Sequence, residues 1–276
     1  MLIALVGPGL IGCGGREGSA ELSLAFKADE VKRLALQTQM DVSLTIGDRQ
    51  IPLSLGWDLN LELCVKGVDE QGVATIVAYV DALNLSRRGG PAGGRDQGVL
   101  RYFHQLLTTL ARMLTEFPRT FTIDSRGRLT NPGEQREFFD LLFPLFPEFP
   151  QAPVATGQTF RSEGPFIVPV LGAQHITQEH RFDSIRTGGV CRIVSELTAR
   201  QPEARQLHTL GADLHVLTFE QSGEAELDLA PYRGEVVGRE LKLDFHVTLV
   251  PEGARELMTV PVKVYIHIGH SLRSLR

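Results

Sequence analysis

Two long stretches of the chain alternate between apolar and polar residues. The first follows the even positions from Leu34 to Ile46 and, after a polar turn, the odd positions from Ile51 to Val65. The second follows the odd positions from Val237 to Leu249 and the even positions from Met258 to Ile268. When apolar residues recur at every second position, their side chains lie on the same face of a strand. Each stretch therefore predicts a long antiparallel hairpin with one apolar face.

A third alternating run, from Val73 to Leu85, follows the first hairpin and extends it into a meander. These runs are much longer than the usual strand of about 5 or 6 residues, and strands of such length twist and coil. We therefore expect a mainly β fold of the α+β class. Its centre is a long-stranded antiparallel sheet that curls into a half-barrel.

Two strand-turn-strand elements suggest that the fold contains related halves. Residues 121–131 and residues 225–238 each pass from a strand through Asp, a turn and Gly to a second strand. This favours a duplication with halves at about 21–150 and 151–276. The alternative is that unrelated β-hairpins share this simple pattern.

Helical patterns occur between these halves. Residues 98–117 place apolar side chains at helical spacing, and a second helix is predicted by Asn131 as its cap, Pro132 and Glu134. From Phe138 to Phe146 this second helix is apolar on more than one face, so it must be buried. We expect one or two helices on the concave face of the sheet, where the second either completes the core or forms a movable lid over a cavity.

The second predicted helix has more apolar surface than one sheet face can cover, so part of it should line a pocket shared with both hairpins. Such a pocket is suited to a hydrophobic or lipid ligand. The residues predicted to line it are Trp57, Leu59, Leu61, Phe139, Phe143, Phe146, Phe245 and Val247.

The N-terminal segment MLIALVGPGLIGCGG satisfies two unrelated patterns. Gly7, Gly9 and Gly12 form the G-x-G-x-x-G fingerprint of a dinucleotide site, which requires a helix directly after it. The following Cys-Gly-Gly sequence disfavours a helix, because glycine in a helix interior costs about 1 kcal/mol relative to alanine. The nucleotide interpretation is therefore not favoured.

Leu10 to Cys13 also match the cleavage box of a bacterial lipoprotein, after an apolar run too short to span a bilayer. This predicts a signal peptide at residues 1–12, acylation of Cys13 as by palmitate, and a tether at residues 13–20. The alternative is a frayed apolar N-terminus. On the lipoprotein interpretation the chain is anchored to a membrane through its N-terminal lipid.

Composition narrows the classes of partner. The formal net charge of -5 and the absence of a large Lys/Arg cluster argue against nucleic-acid binding. Of the three cysteines, Cys64 falls on a predicted polar row and Cys191 on an apolar row, so no disulfide between them is expected.

Few residues suggest catalytic or metal chemistry. His175 and His180 are five residues apart in a predicted strand, so they should face opposite sides as solvated histidines and not as zinc ligands. Asp124 and Asp228 precede glycine turns, where Asp has a structural role, with a carboxylate pair for acid–base chemistry as the alternative. The sequence therefore predicts neither catalytic residues nor a metal or cofactor, and the chain is not expected to be an enzyme.

The cleavage box, the long meander, the two strand-Asp-turn-Gly elements and FPEFPQAPVATGQTF (146–160) resemble a family of bacterial lipoproteins defined only as a domain of unknown function. The resemblance covers most of residues 20–268. It implies an exported protein of the cell envelope, with its domain in the periplasm or at the cell surface. The expected architecture is similar to that of periplasmic lipoprotein carriers of the LolA and LppX type.

Together these expectations describe a membrane-anchored envelope lipoprotein that binds a hydrophobic or lipid ligand in a β half-barrel. The alternative is a lipoprotein with a structural or protein-interaction role and no ligand.

Overall fold

The structure, a computed structural model, describes residues 18–89, 118–131, 147–168, 171–199, 206–209, 212–251 and 261–275, together with Gln105, Thr108 and Arg112. Most of these residues belong to β-strands. The strands are β1 (Ser19–Ala20), β2 (Val31–Ile46), β3 (Arg49–Val68), β4 (Ala74–Gly89), β5 (Arg119–Ile123), β6 (Leu129–Asn131), β7 (Val154–Ala155), β8 (Thr159–Val168), β9 (Gly172–Arg186), β10 (Val190–Ala199), β11 (Gln206–Thr209), β12 (Ala212–Ala230), β13 (Glu235–Pro251) and β14 (Val262–Leu275).

One large antiparallel sheet contains almost all of these strands. Its order is β6-β5-β4-β3-β2-β14-β13-β12-β10-β9-β8, and β11 pairs with β12 beside this path. The predicted antiparallel pairs are confirmed as β2–β3 and β13–β14, and the predicted third strand is β4. Residues 252–260, with the predicted positions Met258 and Val260 of the second hairpin, lie outside the described residues. Between the hairpins β2 pairs directly with β14, so the sheet is continuous through its centre.

One face of the sheet is apolar and buried, as the alternation predicts. Leu36 lies opposite Leu59 on β3 and Leu272 on β14, and all three side chains are at most 2% exposed. The next apolar position along β2, Met40, is fully buried. Because a one-residue slip would turn every such side chain toward water, burial of this face fixes the register of both hairpins.

The sheet curls around its apolar face. The rings of Phe166 on β8 and His270 on β14 lie 5.9 Å apart, although β8 is the fifth strand along from β14. In a flat sheet with strands about 4.8 Å apart, this separation would be roughly 24 Å. The edge strand β8 therefore folds over the concave face. The sheet stays open, because the two strands at its ends, β6 and β8, do not pair with each other in the described part of the chain.

An extended segment, residues 21–27, covers one end of the curled sheet. Its Leu22 and Leu24 side chains are buried. The Leu24 N–H donates to the Ser125 carbonyl oxygen at 2.6 Å, and the Ala25 N–H donates to the Gly234 carbonyl oxygen at 3.0 Å. Since Ser125 and Gly234 belong to two different strand connections, this terminal segment ties distant parts of the sheet together.

The predicted helices fall mostly outside the described residues. Of residues 98–117 only Gln105, Thr108 and Arg112 are described, with helical backbone and exposed side chains, and Asn131 is the last residue of β6. The expected packing of helices on the concave face is therefore not supported. No helix of the described residues is long and apolar enough to span a bilayer.

Both predicted halves contribute to the same sheet, meeting at the β2–β14 pair. The proposed duplication of residues 21–150 and 151–276 stays a prediction.

Two glycine substitutions test the role of the terminal segment. Gly234 (φ 59°) and Gly188 (φ 81°) both have left-handed backbone, which costs a non-glycine residue about 1–2 kcal/mol. A Cβ at Gly234 would also collide with Ala25, whereas one at Gly188 would meet nothing within 4 Å. We expect Gly234→Ala to lower the free energy of unfolding by at least about 2 kcal/mol more than Gly188→Ala, because it displaces Leu22 and Leu24.

Urea unfolding measures this difference, and amide exchange locates its origin. Gly234→Ala should accelerate exchange of the Leu24 and Ala25 amides, while Gly188→Ala should not. Equal losses of stability with unchanged exchange would contradict a structural role for the segment.

Candidate functional site

An apolar cavity of about 260 Å³ lies between the edge strand β8 and strands β2 to β5. The terminal segment contributes Leu24 and Phe26 to its wall. This volume is close to the lower end of the range of about 300–1,000 Å³ for sites that bind small ligands. The principal lining residues from the strands are Leu34, Leu61, Leu63, Ile76, Phe121, Ile123, Gly164 and Pro165.

Charged side chains form part of the cavity lining. The Lys32 ammonium group lies 5.7 Å from the centre of the Phe26 ring, and Arg128 Nε lies 3.8 Å from a carboxylate oxygen of Glu148. Glu163 of β8 is a further lining residue, and its side chain is about half exposed. An apolar interior bordered by a few polar groups is typical of sites that bind amphipathic molecules.

Five of the eight residues predicted to line a ligand pocket are described, and all five are buried on the concave side of the sheet. Leu61 lines the cavity. The other four pack in the surrounding core, namely Trp57 and Leu59 of β3 and Phe245 and Val247 of β13. Phe139, Phe143 and Phe146 lie outside the described residues, so their predicted contribution stays a prediction.

Buried polar residues occur among the apolar side chains of the concave face, several of them along one line across the sheet. The register of β3, β2, β14, β13, β12, β10, β9 and β8 aligns one residue of each strand across the sheet. In that order they are Trp57, Thr38, His270, Leu241, Ala225, Ser195, His180 and Phe160. We call Thr38, His270, Ser195 and His180, with the neighbouring Ser162, Gln178 and Arg239, the polar belt. Each of its residues is at most 7% exposed.

Short hydrogen bonds join most of the polar belt. The Thr38 hydroxyl is 2.6 Å from His270 Nδ1. His180 bridges two serines, with Nε2 2.7 Å from Ser162 Oγ and Nδ1 2.7 Å from Ser195 Oγ. A neutral imidazole has one donor and one acceptor nitrogen, and a hydroxyl can serve either. These contacts therefore suit neutral histidines.

Arg239 is the one charged member of the polar belt and is only 2% exposed. Its Nη2 donates to Gln178 Oε1 at 2.6 Å, whereas its Nε and Nη1 have no hydrogen-bond partner. Burial lowers the pKa of the guanidinium to about 9, so Arg239 is still positively charged at neutral pH. Buried arginines are ordinarily paired with a carboxylate, but no described carboxylate pairs with this one.

Burial also decides the charge of the two histidines. Desolvation, and next the nearby charge of Arg239, lower the pKa of His180 to about 3 and that of His270 to about 3. Both are neutral at physiological pH. The polar belt therefore carries one positive charge and offers unpaired N–H donors in an apolar interior.

The prediction of two solvated histidines is wrong for His180 and holds for His175. His180 is 1% exposed, whereas His175 lies on the outer face, where its Nε2 is 3.6 Å from a carboxylate oxygen of Glu163. Their placement on opposite faces is confirmed. His180 is buried because it shares its parity in β9 with Ile176 and Phe182.

The polar belt itself was not predicted, although the alternation contains a signal for it. Arg239 occupies an odd position in the apolar row that Leu241 continues. His270 occupies an even position between Ile268 and Leu272. A polar residue at an apolar parity is expected to be buried, and this rule would have identified both side chains.

Asp124 has the predicted role in a turn, whereas Asp228 lies inside β12 and forms a cross-strand ion pair. Asp124 accepts hydrogen bonds from the backbone N–H groups of Arg126 at 3.0 Å and Arg128 at 2.9 Å, which stabilises the β5–β6 turn. Asp228 forms an ion pair with Arg186, with a nitrogen–oxygen distance of 2.8 Å. Neither arrangement is a paired-carboxylate site.

The described cysteines are free thiols and form no disulfide. Cys191 is a buried free thiol, and Cys64 is a free thiol that is partly exposed. In the part of the chain that the structure describes, no three His, Cys, Asp or Glu side chains are grouped as metal ligands. Cys13, together with Gly7, Gly9 and Gly12, lies outside that part.

Comparisons with known proteins give only distant likenesses. No family model and no curated protein matches the chain. A chain from a structure of lipid–protein interactions in lipovitellin matches with 13% identity and a TM-score of 0.48, covering 91% of this chain and 25% of that one. DynF of the dynemicin biosynthesis pathway of Micromonospora chersina matches with 8% identity and a TM-score of 0.20, covering 96% and 92% of the two chains.

OpdQ of Pseudomonas aeruginosa matches with 9% identity and a TM-score of 0.25, covering 90% of this chain and 100% of that one. The chain thus spans about a quarter of the lipovitellin chain that it matches. At these values none of the three establishes a shared fold or function, and the resemblance to a lipoprotein family stays a prediction.

The buried histidines predict that stability depends on pH. Because the folded-state pKa values of about 3 lie below the unfolded value of about 6.5, the folded state binds fewer protons. The free energy of unfolding should therefore fall as the pH drops from about 6.5 toward 3. At pH 5 the loss is about 2 kcal/mol per histidine.

Urea unfolding at pH 7.5 and pH 5 measures this dependence. His180→Gln should weaken it, and the matched variant His175→Gln on the outer face should leave it unchanged. A wild-type protein that is equally stable at both pH values would show that the two histidines are not buried in the neutral form.

Proposed function

We propose that this chain is a lipid-anchored protein of the cell envelope that holds a hydrophobic or lipid ligand inside its curled sheet. The apolar cavity between β8 and strands β2 to β5 is the main support for this proposal. Lining side chains such as Leu34, Leu61 and Phe121 are at most 7% exposed, and a volume of about 260 Å³ nevertheless remains between them. Binding of this kind requires no catalytic group, and we propose no enzymatic activity.

The energetics of burial support such a ligand. Transfer of an acyl chain from water contributes about 0.8 kcal/mol per CH₂ group. A dozen methylene groups could supply roughly 10 kcal/mol before the costs of immobilisation are subtracted. A single chain could therefore stay bound through purification.

The anchor is the second part of the proposal. Acylation of Cys13 would attach the chain to a membrane, and the described residues begin at Gly18, close to the covered end of the sheet. Five residues of extended chain reach at most roughly 18 Å. An anchor at Cys13 would hold the terminal segment, and with it the wall of the cavity formed by Leu24 and Phe26, near the bilayer surface.

A structural or protein-interaction lipoprotein without a ligand is the second candidate. It is favoured by the close packing of most of the concave face. Trp57, Leu59, Phe245 and Val247 are each at most 3% exposed and contact the chain's own core. The two candidates differ in whether the cavity is occupied when the protein is isolated.

Native mass spectrometry distinguishes the two candidates. The full chain carrying Cys13→Ser, purified without detergent, should show an adduct that organic extraction removes. Leu63→Trp places a larger side chain in the cavity and should lower the occupancy severalfold. Leu217→Trp makes the same change at a position that is 58% exposed, and it should have no effect.

A ligand-free spectrum, together with no uptake of an apolar dye by the folded protein, would favour the structural candidate. Equal occupancy in Leu63→Trp and Leu217→Trp would place the ligand elsewhere.

The anchor is tested by membrane partitioning. Cys13→Ser should move the full chain from the membrane fraction to the soluble fraction, because stable anchoring needs more than one acyl chain and this residue would carry them. Cys64→Ser is the matched control and should leave the protein in the membrane fraction. If both variants partition as the parent does, Cys13 is not the anchor.

A further inference from the structure

Several buried nitrogen atoms of the concave face have no hydrogen-bond partner. They are Nε and Nη1 of Arg239, Nε2 of Gln178, Nε1 of Trp57 and Nε2 of His270. The arginine, amide and indole nitrogens are obligate donors, and His270 Nε2 is a donor when Nδ1 accepts from Thr38. Unpaired buried donors reduce stability, so a group of them requires an explanation.

These atoms belong to side chains that are neighbours. The rings of Trp57 and His270 have centroids 6.4 Å apart. On the sheet, His270 lies opposite Leu241 and Arg239 lies opposite Leu272, so His270 and Arg239 are diagonal neighbours on the same face. Arg239 in turn donates to Gln178.

The charge of this cluster is unbalanced. Arg239 is cationic and only 2% exposed, and no described carboxylate pairs with it. His180 and His270, with pKa values of about 3, are neutral at physiological pH. A single positive charge with several free donors is complemented by one negative charge on acceptor oxygens.

The apolar cavity and this cluster have strand β8 in common, although the four side chains of the cluster are not among the residues that line the cavity. Gly164 lines the cavity. Two residues before it, Ser162 contacts His180, and two residues after it, Phe166 contacts His270. Since alternate residues of a strand face the same side, the cavity and the polar belt are adjacent on the concave face.

We infer that the polar belt is the headgroup site of the ligand, and that the ligand is a single-chain fatty acid whose carboxylate pairs with Arg239 while its chain occupies the apolar cavity. This inference rests on the proposed function and specifies its substrate class. A cavity of about 260 Å³ suits one short acyl chain better than the two chains of a diacyl lipid. An uncharged analogue would leave Arg239 unpaired and should bind more weakly.

Trp57 provides the reporter for a binding experiment. It is the single tryptophan of the chain, and its indole lies beside His270. The soluble full chain carrying Cys13→Ser, after delipidation, is titrated with dodecanoate, dodecanol and acetate below micellar concentrations. We expect dodecanoate to change the Trp57 emission and to bind about tenfold or more tightly than dodecanol, as for a charge-assisted hydrogen bond. Acetate alone, lacking a chain, should not bind measurably.

Two substitutions assign the headgroup preference to Arg239. Arg239→Met removes the charge and keeps an unbranched apolar side chain, a change that often preserves or increases stability at a buried site. It should weaken dodecanoate binding about tenfold or more and leave dodecanol binding unchanged or tighter. Arg181→Met removes an exposed arginine of β9 that is paired with Asp183, and it should bind both ligands as the parent does.

The outcomes separate this inference from the proposed function. If the parent binds dodecanoate and dodecanol equally, the hydrophobic site stands and the carboxylate site is wrong. The same conclusion follows if Arg239→Met retains the preference for dodecanoate. If neither ligand binds, both the proposed function and this inference are contradicted. Should Arg239→Met fail to fold, the comparison of the two ligands on the parent still decides.

Discussion

The structure depends on one constraint, which is that a very long antiparallel sheet with one apolar face must remove that face from water. In the described part of the chain the sheet achieves this mainly by curling on itself, so that Phe166 of the edge strand β8 reaches His270 near the centre. Curling leaves the ends of the interior open. Residues 21–27 cover one end, and their hydrogen bonds to Ser125 and Gly234 give this short segment a structural importance that its length does not suggest.

The polar belt is an exception to this rule, because it places polar side chains on the buried face of the sheet. Burying Arg239 without a carboxylate, beside two histidines held neutral, costs stability that leucine at the same positions would not cost. In native proteins, buried polar groups that reduce stability are expected mainly at functional sites. The free donors of the polar belt and the apolar cavity next to it have the two properties that an amphipathic ligand needs, an apolar chain site and a polar headgroup site.

The faces of the hairpin strands could be predicted residue by residue, because a period of two puts Leu36, Met40 and Leu59 on the same side of the sheet. The pairing of β2 with β14 could not be predicted, since alternation describes a strand's faces and not its neighbours. Of the residues expected at a ligand site, Leu61 lies on the cavity wall, and its contact with a ligand stays a prediction. The cavity also depends on Leu24 and Phe26, which lie in a segment without a long alternating pattern. Arg239 and His270 occupy apolar parity in their strands, but alternation does not show which partners a buried polar side chain finds.

A crystal structure of the full chain carrying Cys13→Ser, purified without detergent or extraction, would show directly whether the curled sheet holds a ligand. We expect elongated electron density between β8 and strands β2 to β5, with a polar end within hydrogen-bond distance of the Arg239 guanidinium. A cavity filled by the protein's own side chains, with Arg239 paired to one of its carboxylates, would contradict this expectation.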